Sequence, residues 1–455
     1  MADDLELKLA ALGDEDYARG LAAFHAGLKE AEVSFLNACV RCGLCADSCH
    51  YHRAEPTLEN VPARKLDHIA AVFKGHFTTM GKLAPGLVGA KRMDRDMARA
   101  WVDAVFGRCS LCGRCSINCT IGIPMPALFR AARRALGVMG LVPADLQASV
   151  ENSLRYGNNM AIAREEWVET VAWIEEELQA ETGDPGARIP LDKQGARCLF
   201  TVNPREAKFF PLSLQASAKV FWAAGEDWTL ASDGGWDLTN YALFTCEDDQ
   251  AAAIVKHLTD AMNRLGCQVL VLGECGHGYQ SARWMGPEWL KQAFPFPVVS
   301  ILELMDGYLE AGCIQVDPAK NPQPVTLHDP CNLVRHGGMA EPQRRVLRRS
   351  VLNLVEMAPH GIENYCCGGG GGQLAMGRYR NRRLKAGRMK AEQIRATGAK
   401  VVAAPCHNCI DQLGELNKEY QLKVQIKTVA ELVAAALMPA KPAPKPIPEL
   451  IEVQS

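Results

Sequence analysis

The sequence His328-Asp329-Pro330-Cys331, followed by Cys366-Cys367-Gly368-Gly369-Gly370 and by Cys406-His407-Asn408-Cys409, organises the second half of this 455-residue chain. It contributes five thiols, one more than a tetrahedral zinc ion takes. Adjacent cysteines such as Cys366 and Cys367 do not easily reach the geometry of a disulfide. A soft cofactor with several iron atoms fits this donor set better.

The bulk composition limits the classes of function. Hydrophobic residues make up 48% and charged residues 22% of the chain, as in ordinary globular proteins. The formal net charge of -2 gives no global case for nucleic-acid binding. The first residues are acidic and lack the apolar core of an export signal, and no apolar run is long enough to span a membrane. With 18 cysteines, the chain is therefore expected to be cytoplasmic, with thiols that hold metal.

Two earlier groups of cysteines share one spacing, C-x2-C-x2-C-x3-C, which is the run of bacterial ferredoxins. In such pairs the fourth cysteine of each run binds the other cluster. The pattern predicts two cubane [4Fe-4S] clusters with crossed ligands, which would conduct electrons. One cluster is assigned to Cys39, Cys42, Cys45 and Cys119, and the other to Cys109, Cys112, Cys115 and Cys49.

Three details qualify this assignment. Gly43 and Gly113 would let backbone amides approach the sulfides closely. His50 and Thr120 stand where the ferredoxin run has a proline, so the loop geometry after each run is not fixed by the pattern. A zinc ribbon is the alternative, and the match between the two four-cysteine runs argues against it.

Hydrophobic periodicity divides the chain into six segments. We expect an N-terminal helix, a dicluster domain, a helical linker, two α/β halves and a disordered tail rich in Pro, Ala and Lys. The respective residues are 1–35, 36–145, 146–195, 196–320, 321–438 and 439–455. The predicted fold class is thus α+β, with a mainly helical ferredoxin-like domain before two α/β halves.

Within the two halves, short apolar runs indicate strands and longer periodic runs indicate helices. The predicted strands are Arg197–Val202, Gln268–Leu272, Pro324–His328, Lys400–Ala404 and Lys423–Ile426. The predicted helices are Asp248–Leu265, Arg344–Leu354, Tyr379–Thr397 and Val429–Leu437.

The two α/β halves form an internal repeat. The segment 269–277, which runs into Cys275, matches the segment 400–407, which runs into Cys406. On this alignment the first half keeps only Cys275, and other residues replace the remaining cysteines: Arg205, Ser232, Asp233 and Gly278. Cys275 follows a strand in a glycine-rich segment, where α/β proteins place sites, so functional and structural roles both stay open for it.

Taken together, these motifs resemble the heterodisulfide reductase family. The stretch Cys331–Cys409 is similar to its cysteine-rich CCG domain, and the order of domains resembles the D-type subunit. Residues 42–50, 174–178 and 273–277 resemble more closely the K subunit of the membrane complex associated with dissimilatory sulfite reductase.

The resemblance implies an enzyme, a heterodisulfide reductase-like thiol–disulfide oxidoreductase that acts as a subunit of a complex. It implies a noncubane [4Fe-4S] centre, beside the two cubanes, at which a disulfide or trisulfide is cleaved or formed. Its ligands would be Cys331, Cys366, Cys367, Cys406 and Cys409. The implied partners are a membrane quinone or cytochrome b-type subunit and, as substrate, a small sulfur-carrier protein or a small disulfide. The chain would then lie peripherally at the inner face of the cytoplasmic membrane.

Cleaving a disulfide leaves a thiolate that needs a proton or charge stabilisation. The candidate proton donors are His407, His277 and His336, with Arg335 as a partner for the anion and Cys275 as a further candidate. His407 is the first choice because it lies inside the ligand loop. Each of these residues has a structural alternative.

Two other functions compete. In the first, the chain is purely an electron relay and the chemistry lies on another subunit, as in flavin-dependent dehydrogenases such as glycolate oxidase. A structural zinc protein is the weaker alternative. No fingerprint supports a bound nucleotide, because Gly368–Gly372 lacks the G-x-G-x-x-G strand-to-helix context, and this glycine run is interpreted as close backbone packing around sulfide.

Overall fold

The computed structural model describes residues 4–438, so the predicted disordered tail, 439–455, lies outside the described residues. The chain forms two compact units, each assembled from separate segments. Unit 1 contains Met1–Ala148, Tyr241–Glu247 and Glu363–Glu392. Unit 2 contains Ser149–Asn240, Asp248–Ile362 and Gln393–Ser455. Among residues 4–438, no helix has the length and apolar character needed to cross a membrane.

Helices dominate the chain. In order, the α-helices are Asp4–Ala11, Asp14–Ala26, Glu30–Phe35, Leu44–Ser48, His50–Ala54, Pro62–Phe77, Thr79–Leu83, Pro85–Val88, Arg95–Val102, Arg114–Ile117, Met125–Val138, Ala144–Tyr156, Arg164–Thr182, Pro204–Lys208, Pro211–Ala224, Ala242–Thr245, Asp248–Leu265, Gly276–Tyr279, Gly286–Leu290, Ile301–Ala311, Cys331–Val334, Pro342–Ser350, Arg380–Ala386, Arg388–Thr397, His407–Glu419 and Val429–Ala436. The helix predicted at Asp248–Leu265 begins and ends at the predicted residues.

Glycine breaks two helices that the periodicity predicts as continuous. The N-terminal segment contains three helices, because Gly13 caps the start of the second one and Gly27 follows its end. The helix predicted at Tyr379–Thr397 is likewise divided at Gly387. Glycine inside a helix costs about 1 kcal/mol relative to alanine, and hydrophobic periodicity does not register that cost.

Unit 1 is held together by a buried arginine, Arg133, on the helix Met125–Val138. Its guanidinium donates to the carbonyls of Val105, at 3.1 and 2.6 Å, and of Cys109, at 3.0 Å. It also donates to the carbonyls of Phe244 and Gly371, both at 2.8 Å. One side chain thus joins all three segments of the unit and donates hydrogen bonds to four backbone carbonyls.

Unit 2 contains two parallel sheets. Their strands are β1 (Cys198–Thr201), β2 (Trp228–Thr229), β3 (Val269–Leu272), β4 (Val298–Ser300), β5 (Val325–Leu327), β6 (Val401–Ala403) and β7 (Gln425–Lys427). The first sheet has the order β2-β1-β3-β4 and the second has the order β5-β6-β7. The five predicted strands are present. Strands β2 and β4 were not predicted as strands.

The two sheets confirm the internal repeat. Strands β1, β3 and β4 have the same parallel order as β5, β6 and β7. A capping box starts the helix after β4, with Ser300 and Glu303, and another starts the helix after β7, with Thr428 and Glu431. The fold class is therefore α+β, with two α/β halves that share one topology, as the sequence predicts.

A buried ion pair shapes the turn that precedes Cys331. Arg344 donates to both carboxylate oxygens of Asp329, at 2.8 and 2.7 Å, and Gln343 and the backbone of Gly361 add further hydrogen bonds. Burial alone would raise the pKa of Asp329, but the hydrogen-bonded Arg344 guanidinium outweighs burial and holds that pKa below its usual range. The turn is thereby fixed at the end of β5, where Pro330 leads into the helix Cys331–Val334.

Candidate iron-sulfur sites

The two ferredoxin-type runs have the same backbone conformation. Arg41 and Leu111, two residues after the first cysteine of each run, have φ angles of 57° and 52°. Gly43 and Gly113, directly after the second cysteine, have φ angles of 89° and 77° and precede short helices. This left-handed conformation favours glycine at both positions. The backbones of the two runs therefore position their cysteine side chains in the same way.

The fourth cysteine of each run lines a cavity together with the first three cysteines of the other run. One cavity, the first thiol site, is lined by Cys39, Cys42, Cys45 and Cys119. A second cavity, the second thiol site, is lined by Cys49, Cys109, Cys112 and Cys115. Apolar side chains complete both cavities, among them Met125. Four thiols in an apolar pocket form the donor set that an iron-sulfur cube requires, so the residues fit such a group.

The adjacent pair Cys366-Cys367 belongs to unit 1. Both side chains are buried. Cys366 Sγ accepts hydrogen bonds from the backbone N–H of Gly368, at 3.3 Å, and from the hydroxyl of Ser110, at 3.5 Å. The other three thiols of the predicted noncubane site, those of Cys331, Cys406 and Cys409, belong to unit 2 and are also buried.

Cys275 and Cys406 occupy equivalent positions in the two halves of unit 2. Each caps the start of a helix after a strand, and each N–H donates to a carbonyl two residues earlier, at 2.8 and 2.7 Å. Hydrogen bonds from the thiols of Cys275 and Cys409 hold the pKa of Cys406 well below its usual value. Burial raises the pKa of Cys275 well above its usual value. The two shifts have opposite directions, as expected when the thiol of Cys275 donates to Cys406.

Two buried histidines complete what we call the Cys406 cluster, which consists of Cys275, His277, Cys406, His407 and Cys409. His277 Nδ1 lies 3.2 Å from Cys275 Sγ. His407 Nδ1 lies 3.3 Å from the carbonyl oxygen of Glu274. Burial lowers the pKa of each histidine to about 4, so both are neutral at pH 7. Within residues 4–438, His407 Nε2 has no hydrogen-bond partner.

Sequence reasoning missed two buried carboxyl groups near this cluster. Glu206 Oε1 lies 3.5 Å from His407 Nδ1, and the carboxyl of Glu274 accepts from the backbone of Val429 and Ala430 at 2.9 and 2.6 Å. Burial raises the pKa of both carboxyl groups to about 8. The contact between Glu206 and His407 therefore joins two neutral groups and is not an ion pair.

The sequence contained a local signal for Glu206 but not for Glu274. Asn203 and Glu206 form a capping box, a pattern that places a polar side chain three residues after the cap. Asn203 also donates to Cys275 Sγ at 3.6 Å. Glu274 precedes Cys275 in the glycine-rich segment, but no local pattern indicates that its carboxyl group caps the helix Val429–Ala436.

The remaining predicted residues lie at the helix Cys331–Val334. Arg335 Nε donates to the carbonyl of Ile362 at 2.7 Å, and the backbone N–H of His336 donates to the carbonyl of Cys331 at 3.0 Å. Both side chains are partly buried. Their roles as anion partner and proton donor stay predictions.

The first half of unit 2 has no space for a full set of thiols. A Cβ on Gly278, which aligns with Cys409, would lie 1.8 Å from Leu238 Cδ1. Arg205, which aligns with Cys331, forms an ion pair with Asp411 instead. A thiol at position 278 would therefore require Leu238 to move.

Comparisons with known proteins agree with this architecture. Residues 35–123 match the family model of the 4Fe-4S dicluster domain, and residues 325–414 match that of the cysteine-rich domain CCG. The chain is 28% identical to an Hdr-like menaquinol oxidoreductase iron-sulfur subunit of Archaeoglobus profundus, over 89% of this chain and 80% of that protein. It is 24% identical to the D-type subunit of the dihydromethanophenazine:CoB–CoM heterodisulfide reductase of Methanosarcina barkeri, over 90% of this chain and 96% of that protein.

A more distant relative is the EtfAB:quinone oxidoreductase of Syntrophomonas wolfei, which is 22% identical over 74% of this chain and 48% of that protein. The dicluster domain, the CCG domain and the grouped thiols define an iron-sulfur electron-transfer protein with [4Fe-4S] clusters. Within that class, the chain is similar over most of its length to D-type heterodisulfide reductase subunits and to Hdr-like menaquinol oxidoreductase iron-sulfur subunits.

Proposed function

We propose that this chain is a heterodisulfide reductase-like subunit that cleaves or forms a disulfide or trisulfide bond. The observation that carries this proposal is the Cys406 cluster, in which three buried thiols and two neutral imidazoles meet where two equivalent strands end. Purely structural metal sites do not need an imidazole nitrogen without a partner in their wall. Perturbed pKa values in a buried group of this kind are typical of functional sites.

The metal assignments form the second part of the proposal. We assign one cubane to the first thiol site and one to the second. The noncubane [4Fe-4S] centre is assigned to Cys331, Cys366, Cys367, Cys406 and Cys409, on the basis of the match to the CCG domain over residues 325–414. When bound, that centre would supply single electrons and an iron atom for a substrate sulfur.

The protein's own groups would then move the proton. His407 Nδ1 carries its hydrogen, because it faces the carbonyl oxygen of Glu274. Nε2 of the neutral ring therefore offers a lone pair, which can take the proton of an incoming thiol and return it when the reaction runs in reverse. Cys275 keeps its own proton and donates a hydrogen bond to the Cys406 thiolate. Burial of the whole cluster keeps water from competing for either proton.

The proposed electron partner is a membrane quinone or cytochrome b-type subunit, with the chain peripheral at the inner face of the cytoplasmic membrane. The names of two relatives include menaquinol and dihydromethanophenazine, which supports such a partner. Unit 1 also exposes large apolar side chains on two short helices, with Met80 52%, Leu83 78% and Leu87 83% exposed. A small sulfur-carrier protein or a small disulfide is the proposed substrate.

Electron paramagnetic resonance of the oxidised protein, with and without candidate thiols, tests the function. We expect a thiol-dependent paramagnetic signal that the Cys367→Ala variant loses while both cubanes remain reducible. Reducible cubanes without a thiol-dependent signal for any substrate would instead identify an electron relay, as in the flavin-linked alternative. Zinc without acid-labile sulfide would reject both redox functions.

The crossed ligands give a separate prediction. The Cys49→Ser variant should lose the cluster of the second thiol site, as Cys112→Ser does, although Cys49 belongs to the first run. Cys119→Ser should match Cys42→Ser in the same way. Iron content should fall by about four atoms in each variant, and spectra of the reduced protein identify the missing cluster. A Cys49→Ser spectrum that matches Cys42→Ser would contradict the crossing.

A further inference from the structure

Ser110 lies between two groups of cysteines within unit 1. It follows Cys109 of the second thiol site, its side chain is buried, and its hydroxyl donates to Cys366 Sγ at 3.5 Å. The same hydroxyl lies 2.9 Å from His50 Nε2. His50 is the residue that replaces the proline of the ferredoxin run, so the first run also contributes to this contact.

The His50 ring is held from both sides. Its Nδ1 lies 3.3 Å from the carbonyl oxygen of Ala386, which can only accept, so this nitrogen carries a hydrogen. Its side chain also forms a hydrogen bond with Cys112, a member of the second thiol site. The ring therefore has one orientation, and that orientation fixes the Ser110 hydroxyl.

The side chains of Cys112 and Cys366 lie within hydrogen-bonding distance of each other. A thiol of the second thiol site thus touches a thiol of the CCG motif directly. This contact lies inside unit 1, to which both residues belong.

The glycine run after Cys367 makes this approach possible. Gly371 has a φ angle of 65°, and a Cβ on it would lie 2.5 Å from the backbone carbon of Ser110. A larger residue would push the segment away from Ser110, and with it Cys366. The glycine run, interpreted from the sequence as packing around sulfide, thus packs its backbone against Ser110.

We propose that Ser110 and His50 are positioning residues that hold Cys366 against Cys112, so that electrons leave the second thiol site by this contact. The inference rests on the proposed function, since it takes Cys112 and Cys366 as ligands of a cubane and of the noncubane centre. Cys112 would hold the group that gives up one electron per step, and Cys366 would hold the group that accepts it. No bond forms or breaks. The first thiol site then receives electrons from outside.

The hydrogen bond from Ser110 has a second consequence. Donors to a ligating sulfur stabilise the reduced, more negative state and raise the reduction potential. Ser110 would therefore raise the potential of the centre bound by Cys366, which favours arrival of the electron there.

The Ser110→Ala variant tests this role in the full-length protein loaded with its clusters. We expect the midpoint potential of the thiol-responsive centre to fall and its reduction, followed by rapid freeze-quench spectroscopy, to slow by about tenfold. The potential of the first thiol site should not change. Ser110→Thr, which restores a hydroxyl, should return both quantities towards the wild-type values. Ser153→Ala, which removes another buried hydroxyl, serves as the control.

The result that overturns the inference is a Ser110→Ala protein with full iron content and unchanged potential and reduction rate. If the Ser110→Ala variant loses iron, the His50→Gln variant is tested instead, because glutamine removes the fixed ring and leaves Ser110 in place. An unchanged potential and rate in that variant would equally overturn the inference. Wild-type protein that contains cubanes and no thiol-responsive centre would refute the proposed function instead.

Discussion

The Arg133→Met variant is expected to lose at least about 3 kcal/mol of unfolding free energy and to bind the cluster of the second thiol site poorly. Methionine fills much of the same volume but donates no hydrogen bonds. The carbonyls of Val105, Cys109, Phe244 and Gly371 would then be buried without this donor. Each unsatisfied buried polar group costs about 1–3 kcal/mol, and local relaxation recovers part of the sum.

Chemical denaturation of the apoprotein measures the loss of stability, and iron content measures the loss of the cluster. Arg133→Lys should restore little of the lost stability or iron content, because an ammonium group cannot reproduce the planar guanidinium that reaches four carbonyls. Arg130→Met is the matched control on the same helix, since Arg130 Nη1 donates to the carbonyl of Leu243 at 2.8 Å. It should cost about 1 kcal/mol. Equal denaturation midpoints for the Arg133→Met and Arg130→Met variants would contradict the central role of Arg133.

The sequence predicted the features that depend on local spacing. Cysteine spacing predicted two crossed groups of four thiols, and the cavities group the same eight residues. Apolar runs predicted five strands, and a match between short segments predicted the repeat that the two sheets confirm. These features could be predicted because each follows from neighbours along the chain, through ligand geometry, strand period or helix period.

Contacts between residues distant in sequence could not be predicted in this way. Ser110 and Cys366 meet because a glycine far along the chain packs on the Ser110 backbone. Glu274 reaches the start of a helix in the other half of the repeat. Nothing in the residues next to Ser110 or Glu274 encodes these partners. The CCG cysteines likewise form one motif in the sequence, whereas in the fold Cys366 and Cys367 belong to one unit and the other three belong to the second.

The structure also changes the interpretation of His407. The sequence favoured it as a proton donor, because it lies among the predicted ligands. Burial lowers its pKa to about 4, and Nδ1 faces a carbonyl oxygen, so at neutral pH Nε2 carries no proton to donate and offers a lone pair that is a weak base. It would donate only after it has first taken a proton from a thiol, which suits a reversible thiol–disulfide reaction.

His407→Gln is therefore expected to slow turnover of an alkyl thiol by about tenfold, less than for a base whose pKa matches the working pH, because a ring with a pKa of about 4 is a weak base. Glutamine has a similar length, and the backbone N–H of residue 407 still donates to the carbonyl oxygen of Glu274. Its side chain ends in an amide, which forms hydrogen bonds but does not take a proton at neutral pH. The substitution thus removes basicity while it preserves the hydrogen bond that orients residue 407.

The pKa of the substrate thiol separates this role from a structural one. An aryl thiol that is already ionised at pH 7 needs no base, so His407→Gln should slow its turnover much less than that of an alkyl thiol. A merely structural defect would slow both thiols by the same factor, and that result would refute the assignment. His360→Gln is the control, because His360 Nδ1 lies 3.1 Å from the carbonyl oxygen of nearby Met357. This variant should turn over both thiols at wild-type rates, so the difference between the two thiols reports on Nε2 of His407.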